Sequence, residues 1–234
     1  MKLEDVKREL RKTADEKIAT HALRFFKTGK GEYGEGDTFI GVRVPQIRAL
    51  AKKAKSLSDQ EAETLIQSPI HEERMLGLFI WRHQFDKGDT ARQSQIYQSY
   101  LDHVAHINNW DLVDCSAHYI VGQYLYERSR KPLYKLARSK NLWERRIAIM
   151  ATFYFIKQND FEDSLSLVEI LLHDSEDLIH KATGWMLREI GNRHMKTEEE
   201  FLKPRYQTMP RTMLRYAIEK FPETKRHRYL SGKI

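Results

Sequence analysis

Three segments of this chain repeat one another at a nearly constant interval. HEERMLGLFIW from His71, LWERRIAIMAT from Leu142 and LIHKATGWMLR from Leu178 each carry a basic residue, then small and large apolar residues at helical spacing. The basic positions are Arg74, Arg146 and Lys181, separated by 72 and then 35 residues. Trp110 lies 36 residues after Arg74, where the missing unit of the series falls. A period of this length, with two helices per unit, points to an α-solenoid. The tetratricopeptide consensus W-x-x-L-G-x-x-Y is absent. The expected fold is therefore all-α, a solenoid of HEAT-like helical repeats in a single domain over residues 1–234. Second helices of successive repeats line the concave wall of such a stack. Arg74, Arg146 and Lys181 would then form a basic ladder in one groove. For each residue alone, a salt bridge to a neighbouring repeat is the alternative; the repetition favours the groove.

The rest of the chain reads the same way. Thr13-x-x-Glu16 and Ser58-x-x-Glu61 have capping-box spacing, and Pro45 suits the first turn of a helix over Pro45–Lys55. Further helices are expected at His71–Asp86, Asp89–His103, Trp110–Tyr126, Lys131–Ser139, Leu142–Gln158, Phe161–His173, Ser175–Asn192, Thr197–Tyr206 and Pro210–Phe221. No stretch alternates as a strand does. Glycine and proline number 11 and 6, and five of the glycines fall between Gly29 and Gly41. A sandwich or Rossmann-type sheet needs turn residues spread along the chain, so both are disfavoured. Residues 28–44 read as a Gly-rich surface loop without the glycine order of a phosphate-binding loop.

The formal charge of +7 is local. Residues 203–234 hold nine Lys and Arg against two Glu, and Arg128–Arg146 holds eight basic residues against Glu144 alone. A basic stripe attracts a polyanion through Coulomb steering and counterion release; a solvated, solubilising surface is the other reading. One cysteine, Cys115, excludes an intramolecular disulfide and a Cys-rich metal site. The longest run without Asp, Glu, Lys or Arg is Cys115–Tyr126, twelve residues, too short to span a bilayer. A cytoplasmic monomer is expected, with no membrane partner.

Two segments carry candidate chemistry. In NNWDLVD, Asn108–Asp114, Trp110 and Asp114 stand one helical turn apart and share a face, whereas Asp111 leans away from Trp110. An acid beside apolar and aromatic residues is costly unless it is paired or has a task, so a capping or salt-bridged Asp114 is the bland reading. In KATGWMLRE, Lys181–Glu189, Trp185 sits within a turn of Lys181 and Arg188. That fits either ordinary core with snorkelling cations or an aromatic platform beside a phosphate-binding pair. Gly184 is unfavourable mid-helix and implies close approach of a helix or ligand. His103-x-x-His106 has no third ligand, so no metal site is assigned.

Four blocks in this order resemble the AlkD-type DNA alkylation repair proteins, over roughly residues 20–220. They are Gly41-Val42-x-x-Pro45-x-x-Arg48, Trp110-Asp111-x-Val113-Asp114, Trp143-x-x-Arg146-x-Ala148-Ile149 and Lys181-Ala182-x-Gly184-Trp185-x-Leu187-Arg188-Glu189. The resemblance implies a DNA glycosylase that hydrolyses the N-glycosidic bond of N3- and N7-alkylated purines in duplex DNA, with neither metal nor cofactor. It implies Asp114 as the catalytic carboxylate, Trp110 and Trp185 as cleft walls, and Arg146 as an assistant beside the DNA backbone. Arg48 and Arg188 match phosphate-contacting positions, which Arg74 and Lys181 of the ladder would join. The chain departs from the pattern at Asn109, where many members have a second tryptophan, and its Gly-rich loop is longer. A non-catalytic module binding DNA or RNA by its backbone, and a scaffold for a protein partner, are the competing functions.

Overall fold

The computed structural model describes residues 1–234 and is all-α, with one isolated parallel bridge between Thr38 and Ile70. The chain divides into two compact units, Met1–Ser116 and Ala117–Ile234. The first unit holds α1 (Leu3–Arg11), α2 (Glu16–Phe25), α3 (Val44–Lys53), α4 (Asp59–Ile66), α5 (His71–Lys87), α6 (Thr90–Asp102) and α7 (Trp110–Asp114). The second holds a π-helical turn (His118–Gly122), then α8 (Gln123–Tyr126), α9 (Lys131–Ala137), α10 (Leu142–Ala151), α11 (Phe153–Lys157), α12 (Glu162–Leu171), α13 (Asp177–Leu202), α14 (Arg211–Ala217) and α15 (Glu223–Leu230). No helix is long and apolar enough to cross a membrane.

The repeat is visible as helix pairs. Within the first unit α4 packs on α5, and within the second α9 packs on α10 and α12 on α13. Arg74, Arg146 and Lys181 all fall in the opening turns of the second helix of a pair, on α5, α10 and α13. Each second helix buries most of its apolar residues: Leu76, Ile80 and Trp81 on α5, Ile147 to Ala151 on α10, and Ala182, Met186 and Ile190 on α13. Burial on this scale stabilises by about 1.5–3 kcal/mol per large side chain.

Local signals set most boundaries. Ser58 and Glu61 form the expected capping box, and Pro45 lies in the first turn of α3. At α2 the cap is Asp15, not Thr13: its carboxylate accepts from the amides of Lys17 at 2.9 Å and Ile18 at 3.1 Å. Two expected long helices are broken. Trp110–Tyr126 opens at Cys115–Ser116, and Leu142–Gln158 opens at Thr152. At each break a hydroxyl captures a carbonyl of the preceding turn: Ser116 Oγ bonds Leu112 O at 2.5 Å, and Thr152 Oγ1 bonds Ile149 O at 2.7 Å. Such back-bonding competes with the backbone ladder. In the π-turn, Gly122 meets the end of α10 so closely that a Cβ would stand 2.1 Å from Ala151 O.

The boundary expected between Asn192 and Thr197 is a kink in α13. His194 leaves helical geometry at φ −146° and ψ 84°. Beyond it, Glu198 folds back onto Gly191, where a Cβ would lie 1.7 Å from the carboxyl. Glu198 is 1% exposed and its Oε1 has no hydrogen-bond partner. Burial, helped by the charge of Glu199, pushes its pKa up to about 9. From about pH 4.5 to 9 the folded chain keeps a proton that the unfolded chain releases, so this group's contribution to stability falls as pH rises. Glu198→Gln should flatten that decline, by up to about 1.4 kcal/mol per pH unit. Denaturant midpoints measured from acid to alkaline pH check it; an unchanged slope would contradict the buried neutral acid.

Candidate active site

In the first unit the candidate residues ride on α7, a helix of five residues. Asn109 caps it, its Oδ1 accepting from the Trp110 amide at 2.8 Å. Leu112 and Val113 are fully buried and hold the helix down, while Trp110 and Asp114 are half-buried one turn apart on the remaining face. The Trp110 ring stacks on Phe26, centroids 5.3 Å apart at 26°, and meets Phe25 edge-on at 5.8 Å. Phe25 is 54% exposed, so the indole belongs to an aromatic surface open to solvent. Neither phenylalanine stands out as a site residue in the sequence; their one signal is a pair of adjacent aromatics at the end of an amphipathic helix.

Asp111 does lean away from Trp110, but into a buried ionic network. Its Oδ2 lies 2.8 Å from Nε2 of His71, whose Nδ1 lies 2.8 Å from Oδ2 of Asp37. Arg74 donates to the other oxygen of Asp37 at 2.6 Å and to Ser68 O at 3.0 Å. Burial alone would lower the His71 pKa, but the Asp111 and Asp37 carboxylates push it up to about 9. Burial alone would raise Asp37, yet His71 and Arg74 hold it below the usual carboxylate range. Asn109, the departure from the family pattern, is fully buried and points Nδ2 at Asp37 over 3.5 Å. It serves as a tether, not as a cleft wall.

In the second unit the candidates gather on or against α13. Arg146 of α10 is 4% exposed and donates to Leu178 O at 2.5 Å, in the first turn of α13. Lys181 pairs with Asp177 at 2.7 Å and is 40% exposed. Trp185 is half-buried, donates from Nε1 to Glu189 at 3.0 Å, and lies 6.0 Å from the ring of Phe153. The Lys157 ammonium sits 4.3 Å from the centre of that Phe153 ring, a cation–π contact. Arg188 pairs with Glu219.

The cations therefore differ in availability. Arg48 of the first unit is exposed, its guanidinium 5.3 Å from the Phe79 ring centre. Arg74 is 5% exposed, and its two terminal nitrogens are taken by Ser68 and Asp37. Most basic residues of 203–234 are exposed, Lys203, Arg211, Arg215 and Lys220 among them.

An aromatic–carboxylate helix in one unit, an aromatic–cation helix in the other and a surplus of exposed cations mark this helical-repeat protein. The profile of the DNA alkylation repair enzyme family matches residues 6–221, and the chain belongs to that family. Similar solved structures include a predicted DNA alkylation repair enzyme from Enterococcus faecalis, with TM-score 0.68 and 15% identity over 90% of this chain and 98% of that one. AlkD2 from Streptococcus mutans gives TM-score 0.56 and 17% identity over 94% of this chain and 97% of that one. The smu.31 protein of Streptococcus mutans UA159 gives 0.53 and 19% over 94% and 99%. These likenesses speak for the fold. No curated protein matches the chain.

Gly184, next to Trp185, faces a neighbouring helix. A Cβ there would stand 2.5 Å from Met213 O and 2.6 Å from Tyr216 Cβ of α14. Gly184→Ala should force α13 and α14 apart and cost about 1–3 kcal/mol, despite alanine's better helix propensity. A denaturant midpoint equal to or above the parent's would refute the close contact.

Proposed function

We propose that this chain excises N3- and N7-alkylated purines from duplex DNA by hydrolysing the N-glycosidic bond. The observation that carries the proposal is the placement of Trp110 and Asp114 on one face of α7, both half-buried, with the intervening Leu112 and Val113 turned into the core. Alkylation at N3 or N7 makes the purine cationic and a ready leaving group. As the bond breaks, positive charge moves onto the deoxyribose as an oxocarbenium ion. A fixed carboxylate stabilises that ion and orients the attacking water, as in glycoside hydrolysis. Aromatic faces at Trp110 and Trp185 hold a cationic sugar or base by cation–π attraction.

In this reading Trp110 and Asp114 supply the chemistry on the first unit, and Trp185 and Arg146 are the candidate DNA-facing residues of the second. Arg48, Lys181 and Arg188 hold phosphates, which sets register without reading bases. Arg74 contributes through Asp37 instead, since a phosphate would have to displace a buried ion pair. Binding is then independent of sequence and falls steeply with salt.

Single-turnover release of an N7-alkylated guanine from duplex DNA, with binding followed separately, tests the proposal. Asp114→Asn keeps the shape and removes the charge, so release should fall by about 100–1000-fold with binding nearly intact. Trp185→Ala should weaken both binding and rate, because a platform acts before and during cleavage. Release by Asp114→Asn at the parent rate would make the carboxylate structural and leave a backbone-binding module without chemistry.

A further inference from the structure

We propose that His71, clamped between the carboxylates of Asp37 and Asp111, is the positioning residue for the helix that carries Trp110 and Asp114. The inference rests on the excision reading for what α7 does; the clamp itself rests on geometry. Five residues cannot hold a helix in place by their own hydrogen bonds. α7 is instead tied at its first turn, where Asp111 meets Nε2 of His71 at 2.8 Å. His71 opens α5, and its Nδ1 reaches Asp37 of the Gly-rich loop at 2.8 Å. Asn109, the cap of α7, points at the same Asp37. The imidazole also stacks on Phe39, centroids 4.4 Å apart, and lies tilted against Phe26 at 5.2 Å. Phe26 in turn supports the Trp110 indole. One ring thus fixes both the backbone of α7 and the platform under its tryptophan.

The clamp needs a protonated ring. Only the imidazolium donates from both nitrogens, and here both face carboxylate oxygens. When the proton leaves, one carboxylate is left facing a lone pair. The charged and titratable neighbours are Asp37 on the loop, Arg74 on α5 and Asp111 on α7. Glu72 and Arg43 share the cavity of about 380 Å³ that His71 and Asp111 line. Cys115 feels Asp111, and His106 feels Arg74. Burial pushes the Cys115 thiol up and His106 down, which takes both away from the range in which His71 titrates.

The test compares the parent with His71→Gln and Asp37→Asn, by amide hydrogen exchange along α7 and by single-turnover purine release, over a range of pH. In the parent, protection of α7 and the release rate should fall together as pH rises through about 9. His71→Gln should exchange the α7 amides and lose rate by roughly tenfold at every pH, without that step. Asp37→Asn should keep the step but move it to lower pH, because one of the two charges holding the proton is gone. A merely structural histidine would not move the step. Unchanged α7 exchange in His71→Gln, or a step unmoved by Asp37→Asn, overturns the clamp. Should His71→Gln fail to fold, the position of the step in Asp37→Asn decides alone. A parent that releases no purine defeats the excision reading, and the exchange arm still judges the clamp.

Discussion

The first turn of α5 reads His71-Glu72-Glu73-Arg74, and all four side chains are buried. Charges taken from water are tolerated only when each finds partners. Glu72 accepts from the amides of Ile40, Gly41 and Val42, closing the end of the Gly-rich loop around one carboxylate. Glu73 takes the Ser68 hydroxyl at 2.8 Å and the cations of Lys7 and Arg11 from α1. His71 and Arg74 take Asp37, and His71 adds Asp111 of α7. Both glutamates sit at a helix N-terminus, where the dipole favours negative charge. One turn of helix therefore nails α1, the loop and α7 to α5. Gly41 shows how tight the closure is: its φ is +81°, and a Cβ would stand 2.0 Å from Asp15 O.

Much of this molecule was legible as periodicity. The paired helices, their spacing, the capping box at Ser58 and the helix start near Asp89 all follow from local residue chemistry, while the two helices expected on either side of His194 are one helix kinked there. The hub at α5 was not legible, although its residues were in plain view. Acids followed by an arginine at a helix start look the same whether solvated or buried, and only the loop that covers them decides which. That loop reads as surface from its glycines, yet Gly34 and Phe39 are buried and the Asp37 side chain is 3% exposed. The glycines admit the chain to close quarters; at Gly34 a Cβ would stand 2.4 Å from Phe26 O.

The helix breaks escaped for a different reason. Ser116 and Thr152 lie within apolar-periodic runs, and a hydroxyl mid-helix costs little when it faces solvent. Both are fully buried, and the Ser116 hydroxyl also meets Tyr100 OH at 2.9 Å. With no water to satisfy them, the hydroxyls take carbonyls from the helix itself. The first break matters most, because it ends α7 directly after Asp114 and leaves the carboxylate at the last turn of a short helix.

The basic ladder divides along the same line. Its arginines, Arg74 and Arg146, are buried and bonded to carbonyls of neighbouring segments, which suits a planar fork of fixed donors. Its lysine, Lys181, stays at the surface, paired with Asp177 one turn away along its own helix. Arg74 also pairs with Asp37 of the Gly-rich loop. Exposed positive charge outside the ladder lies at Arg48 and in most of the cations of 203–234. In the excision reading, attraction and chemistry are carried by different residues. On that reading, long-range charge would set how fast and at what salt a duplex is met. The Asp114 carboxylate would then act at short range, on a helix whose Asp111 is held by the buried His71, where salt screens little.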